Sequence, residues 1–441
     1  MKKVIFLILI VLLADCGGIQ TYEPINSPAA AILSTRTATQ TETNTPAATS
    51  SDMPTPKVLP MPTPLHTLQP NQTITLSNLH MLDATTGWGI ALGGRIMRTT
   101  DGGILWNDVT PKQSNYTDGG FYALDAENAW AISKVGEVRN GQLPSPIWHT
   151  SDGGKTWQQP ESPSSNSTVP YYTPTKVIFT NPQTGWILWD TSQDQIHSVF
   201  TYLERTTDGG KSWEETEIST TPDLYTGLIF LDNEVGYAGA RLALDLTYYG
   251  TPTSQDYVEG KSLPELWKTT DGGKTWSMVQ LPRLNPIPAE LQAIVSSNDQ
   301  MSCGVIGLIY IPPAGILVKV QCTVFSLVPP IREMFNYGYL SADMGQTWHS
   351  WLAGTGEQFI NITTGWRLYS PGKDMPNQLQ QTTDGGLTWV TIKNVAWQSA
   401  QFDFINISTG WALATDNKTT ALVYTNDGGK TWKELTPSAV P

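Results

Sequence analysis

An acid, two glycines and a hydroxyl lie close together in "TTDGGKTW" (Thr269 to Trp276), a set that could arm a nucleophile or cradle a phosphate. A phosphate cradle needs a following helix to aim its amides, and no helical pattern follows. The same letters recur as "TTDGGILW" from Thr99, "TSDGGKTW" from Thr150, "TTDGGKSW" from Thr206, "SADMGQTW" from Ser341, "TTDGGLTW" from Thr382 and "TNDGGKTW" from Thr425. No reaction needs its nucleophile seven times, whereas stacked or ringed repeats need the same turn in every unit. Asp101, Asp152, Asp208, Asp271, Asp343, Asp384 and Asp427 are therefore assigned to folding turns.

Comparing the copies assigns a task to each position. Ser or Thr stands two before the Asp and Trp five after it in all seven. Gly stands two after the Asp every time, but the site directly after it accepts Met344, so positive φ is expected at the first of these sites and not at the second. The Asp should accept hydrogen bonds from the turn's own amides, as Asx turns do, and the Trp should fill the gap between neighbouring sheets. Leu105 replaces the usual hydroxyl four after the Asp, so that hydroxyl is helpful rather than required.

A second motif precedes the box in six of the seven units, clearest in "FINISTGWALAT" (Phe404 to Thr415) and "FINITTGWRLYS" (Phe359 to Ser370). Apolar runs around a polar, Gly-containing turn read as a β-hairpin. Hairpin, connection and box together make a four-stranded meander, and seven such sheets bury both faces only if arranged radially. The fold class is all-β: a seven-bladed propeller of four-stranded antiparallel blades with the boxes between third and fourth strands.

The boxes resemble Asp-box, or BNR, repeats, similar to those of sialidases, sortilin-type receptors, xyloglucan-degrading glycosidases and the photosystem II assembly and stability factor. The paired "TGW" and "DGGKTW" motifs look most like the last of these, which implies a chaperone-like binder of membrane-protein segments. That family's binding depends on a basic patch, and no arginine cluster stands out in this acidic body. The likeness to sialidases implies an alternative, an exo-acting glycoside hydrolase. It would need three converging arginines, a Tyr activated by a Glu, and an acid. Arg98 and Arg205, one residue before box threonines, read instead as structural or solvent-facing.

Both repeated motifs occupy turns on one face of the ring, so binding is expected on the other face, where the loops vary. The blade-four connection from Arg241 to Pro264 is long and carries Tyr248, Tyr249, Asp256 and Tyr257, side chains suited to a protein or glycan partner. Blade five is expected to have a longer connection still. It lacks the GW turn and has an apolar hairpin turning at Pro312-Pro313, which sets Cys303 opposite Cys322 for a disulfide, since 303 plus 322 equals 311 plus 314.

The remaining sequence bounds the setting. Residues 1–16 read as a lipoprotein-type signal peptide: two lysines, an apolar run too short to span a bilayer, and "LADC" ending at Cys16, the expected lipidation site. Asp15 departs from the small uncharged residue that a lipobox wants there. Residues 17–69, rich in Thr, Ser, Ala and Pro, read as a disordered tether, and 70–441 as the propeller. The expected location is outside the cytoplasmic membrane, anchored by lipid alone, with free secretion as the alternative. A net charge of −13, nearly all beyond the tether, repels phosphate backbones, so no nucleic-acid partner is expected. Five scattered histidines and two body cysteines give no metal site, no cofactor motif is visible, and a monomer is expected.

Overall fold

The computed structural model describes residues 68–111, 120–132, 147–158, 172–193, 198–218, 224–241, 261–262, 264–282, 300–327, 330–372, 375–416 and 418–440. The chain divides into two units, Met1–Pro62 and Thr63–Pro441. The first lies outside the described residues, so all that follows concerns the second.

Seven antiparallel sheets follow one another along this unit, and the described residues form no helix. Blade seven sets the pattern, with strands Ser399–Phe404, Gly410–Thr415, Thr420–Thr425 and Lys433–Leu435 paired in sequence order. Blade six, from Thr355–Phe359 to Val390–Val395, and blade three, from Tyr172–Phe179 to Glu214–Glu217, repeat it. Blade two has three described strands, and an isolated His149–Gln158 bridge stands where the fourth would begin. Blades one and five each gain a fifth strand.

The fifth strand of blade one closes the ring. Ser438–Ala439, at the C-terminal end, pairs parallel with Leu105 and Trp106 on the outer strand of blade one. On its other side the Ala439 amide donates to Gln72 and the Ile74 amide donates to Pro437, so the two ends of the propeller hold each other. Strand pairing satisfies backbone groups that an open edge would leave exposed.

Between blades, the aromatic of the GW turn fills the seam. Trp88, Trp130, Trp186, Trp366 and Trp411 are fully buried, and Tyr237 takes the same place in blade four. Trp130, Trp186 and Trp366 stack on Phe179, Phe230 and Phe404 of the next blade, with ring centroids 3.6, 3.5 and 3.7 Å apart. The glycine before the aromatic is there for space: a Cβ on Gly410 would lie 2.4 Å from the Phe404 ring. The box Trp shares this gap, as expected, but in a lesser part. Only Trp106 of the box series is fully buried; the other six are half-buried. Trp213, Trp276 and Trp432 lend a ring edge to the same Phe, at 6.2, 6.2 and 5.9 Å.

Blade five corrects two expectations. Its extra residues lie in longer strands, Gln300–Ile311, Gly315–Leu327 and Pro330–Ser341, and the connection between the second and third is only residues 328–329. Runs such as "ILVKVQCTVF" are β-branched and alternating, so they extend the sheet instead of looping out. Cys303 does face Cys322, in a disulfide with Cα atoms 4.0 Å apart, but the turn alone does not bring this about. Ile311 pairs with Gly315, a sum of 626, and only a bulge between Val305 and Gly307 restores the sum of 625 that aligns the cysteines.

Candidate functional site

Each Asp box is a closed set of hydrogen bonds. The hydroxyl two before the Asp donates to its Oδ1 at 2.8–3.0 Å and accepts from the amide of the second glycine at 2.7–3.1 Å, in all seven copies. The amide four after the Asp donates to Oδ1, and in six copies the hydroxyl there donates to Oδ2 at 2.6 Å. In the first box the Leu105 amide takes both oxygens of Asp101, at 3.0 and 3.1 Å, which is how that copy manages without the hydroxyl. The Thr156, Thr347 and Thr431 hydroxyls, with the amides of the same residues, hold Asp152, Asp343 and Asp427 down at about 2.

Both sites after the Asp have positive φ, as expected two after the Asp and contrary to the expectation for the site directly after it: Gly345 sits at 81° and Met344 at 57°. A left-handed φ near 57° is open to side chains at a cost, whereas the second site is also crowded. A Cβ on Gly345 would lie 2.5 Å from the Tyr237 hydroxyl of the preceding blade.

The two repeated motifs are bonded to each other, a link that spacing alone did not disclose. The amide directly after the Asp donates to a carbonyl of the GW turn in its own blade: Gly102 to Thr85, Gly153 to Glu127, Gly209 to Gln183, Gly272 to Glu234, Gly385 to Thr363 and Gly428 to Ser408, all at 2.8–3.0 Å. Blade five has no GW turn, and there Met344 donates to Ala314 instead. The carbonyl of that same residue then serves the previous blade. It accepts from Trp186 at Gly272, from Tyr237 at Met344, from Trp366 at Gly428 and from Trp411 at Gly102. In these four boxes a single residue thus joins turn to turn through its amide and blade to blade through its carbonyl.

The residue before the box Ser/Thr covers the GW aromatic from the neighbouring strand. Arg98 lies 4.7 Å over Trp88, Arg205 5.7 Å over Trp186 and Lys268 5.4 Å over Tyr237, while His149 stacks on Trp130 at 4.5 Å. Arg98 and Arg205 also donate to Ala126 and Asn233 in the next blade. Both arginines are structural, as read from the sequence.

Buried charge concentrates in two other seams. Between blades five and six, the Lys319 ammonium donates to the Glu357 carbonyl at 2.9 Å, and the Glu357 carboxylate accepts from Trp351 and from the Gly354 amide. Beside them, Arg367 donates to Leu352 and Gln380, and burial lowers its guanidinium to about 10. Between blades seven and one, Asp403 accepts from the Met81 amide, and burial raises it to about 6 against the pull of His80. Gln358 forms the corresponding pair with the Phe404 backbone one seam earlier. These groups tie neighbouring strands and blades together.

On the face away from the boxes, the two irregular regions meet. Lys261–Ser262, at the end of the blade-four insertion, pairs parallel with Met301 and Ser302 of blade five. Tyr248, Tyr249, Asp256 and Tyr257, and likewise Cys16, lie outside the described residues. Arg241 ends the second strand of blade four, paired with Leu224, and its side chain lies outside the described atoms. The same face carries a cavity of about 410 Å³ between blades seven and one.

The BNR/Asp-box repeat family matches residues 423–434, the last of the seven boxes. A vacuolar protein sorting/targeting protein 10 of Chaetomium globosum is 30% identical over 154 residues, 33% of this chain and 9% of that protein. The chain thus spans about a tenth of the length of this relative. Among solved structures it is similar to YCF48 from Cyanidioschyzon merolae, 14% identical, TM-score 0.44, covering 82% of this chain and 98% of that one. It is also similar to the α-L-arabinofuranosidase Arb93A from Fusarium graminearum, 11% identical, TM-score 0.41, covering 81% and 98%. With a box closed in every blade and the last of them matched by the BNR/Asp-box repeat family, the chain is built as a seven-bladed β-propeller.

Proposed function

We propose that the chain is a non-catalytic binding or assembly module, held outside the cell membrane by lipid on Cys16, that engages a protein or glycan partner on the face opposite the boxes. The observation that carries this reading is the division of labour between faces. On the box face the two repeated motifs are engaged with each other in six blades, and in blade five the box bonds to the Ala314 turn instead. The other face bears the blade-four insertion, the lengthened blade five and the cavity. A rigid scaffold with variable loops on one side suits recognition. The placement of Arg98, Arg205 and Arg367 in seams and of Arg95 against Asp108 also supports a role other than a carboxylate-gripping arginine triad.

Two measurements test it. Mass spectrometry of the membrane fraction should find a cleaved, acylated N-terminus at Cys16; an unmodified or freely secreted chain sinks the anchoring. The purified full chain should bind on glycan or peptide arrays in a manner abolished by Tyr248→Ala and Tyr257→Ala at unchanged melting temperature. Turnover of aryl glycosides would overturn the non-catalytic reading.

A further inference from the structure

The cavity between blades seven and one has a chemical character of its own. Its floor is aliphatic: Leu76, Ala400 and Leu413 are 3%, 7% and 5% exposed, and Leu92, 65% exposed, stands at the rim. Around that floor are the hydroxyls of Thr75, Ser77, Ser399, Thr415 and Thr420 and the amide of Gln401. Among the described residues, no charged side chain lines it. An anion or an ammonium group would therefore lose its water for neutral hydrogen-bond partners and no opposite charge, which is costly. A wholly apolar ligand would leave the hydroxyls without one as well.

We infer that this cavity is a binding site for a neutral sugar, one or two rings in size, seated with a C–H face on Leu76, Ala400 and Leu413 and its hydroxyls on the Ser/Thr rim. The volume falls at the lower end of small-molecule sites, roughly 300–1,000 Å³, and fits a chain end better than a long polymer. Partners for the sugar are in place. Gln401 uses its amide nitrogen on Leu79 across the seam, at 3.3 Å, which keeps the side chain oriented and leaves its oxygen to accept. Thr415 and Thr420 pair with each other at 3.0 Å, so their oxygens are held at the rim with capacity to spare. An extended peptide is the weaker fit, because carbonyls it would pair with are taken: Thr75 accepts from Leu92, and Thr415 accepts from Gln398.

The site lies across the seam where the ring closes, so a bound sugar bridges the first and last blades. Binding should therefore raise the melting temperature in proportion to the logarithm of sugar concentration. It is remote in sequence from the blade-four insertion, and the variants below leave that insertion intact.

The test titrates the full chain with a panel of neutral mono- and disaccharides, alongside glucuronic acid and a neutral hexapeptide, reading saturation-transfer NMR and thermal shift. At least one neutral sugar is expected to bind at millimolar or tighter concentration, and the acid and the peptide are not. Thr75→Val and Thr420→Val keep the shape and remove a hydroxyl, and each should weaken binding roughly fivefold to tenfold. Ser399→Trp, at an exposed rim position, should abolish it while leaving the ligand-free melting temperature unchanged. The inference is overturned if no neutral sugar binds, if binding survives Ser399→Trp and both valine variants, or if the peptide binds there instead.

Discussion

The indole N–H of Trp411, in the last blade, donates to the carbonyl of Gly102, in the first, at 2.9 Å. The same bond joins Trp366 to Gly428 one seam earlier, at 3.1 Å, within a continuous run of chain. The ring is therefore closed by the device that joins its interior blades, with the C-terminal strand added outside. Trp411→Phe keeps the packing and orphans the carbonyl, and should lower stability by roughly 1–2 kcal/mol in urea denaturation. Deleting residues 437–441 should cost more and expose the outer edge of blade one, read as self-association on size exclusion. Unchanged behaviour of the truncated chain would mean that the ends do not hold the ring.

Asp271 accepts from Thr269, from the Lys274 and Thr275 amides and from the Thr275 hydroxyl. These amides sit near solvent, so Asp271→Ala should cost about 1–2 kcal/mol, the range for losing a capping carboxylate. Asp271→Asn retains an acceptor and should cost less. Intact melting combined with lost ligand binding would contradict the structural assignment.

Met344 and Gly345 should respond in opposite directions. Met344→Gly relieves a left-handed side chain and is expected to be neutral or stabilising by up to about 1 kcal/mol. Gly345→Ala drives a Cβ against the Tyr237 hydroxyl, which donates to Met344 at 2.7 Å, and should cost roughly 2–3 kcal/mol. Equal effects in differential scanning calorimetry would argue that crowding at the second site is unimportant.

The disulfide between Cys303 and Cys322 closes a loop with a sequence separation of 19. By the chain-entropy estimate such a closure contributes about 3 kcal/mol. Thiol labelling of the denatured, unreduced chain should find neither cysteine reactive. Two reactive thiols per chain would leave blade five to its packing alone.

Stability should depend on pH through two groups of opposite sign. The box carboxyls Asp152, Asp343 and Asp427, depressed from 3.8 to about 2, contribute stability above pH 4 that is lost as pH falls toward 2. Asp403 is raised from 3.8 to about 6, chiefly by burial, so its contribution is full below pH 4 and is lost as pH rises through 6. Between pH 4 and 6, Asp403 should therefore contribute a decline in unfolding free energy of at most about 1.4 kcal/mol per unit, the slope of one proton, to which Glu204, raised by burial from 4.5 to about 7, adds above pH 4.5. Asp403→Asn should flatten this decline. His80 is the charged neighbour across the seam, and His80→Gln should shift the midpoint upward by removing its pull. A flat profile from pH 4 to 6 in the parent chain would refute this account of Asp403.

The sequence by itself determined the repeat number, the fold class, the face on which both motifs lie and the structural nature of the box aspartates. It could do so because a device used seven times reveals by substitution which positions are interchangeable, as Leu105 and Met344 do. Even the facing of Cys303 and Cys322 was legible there, although by a register that a bulge then had to repair. Only the tertiary structure decided which bond joins "TGW" to "DGG", because Ser408 and Gly428 are 20 residues apart and meet through a shared turn face. Only it placed Asp403 against Met81, Trp411 against Gly102, and the hydroxyl-rimmed cavity between Thr75 and Ser399. These pairs come from opposite ends of the chain, and their proximity follows from closing a ring. Closure is a global condition that no local spacing encodes.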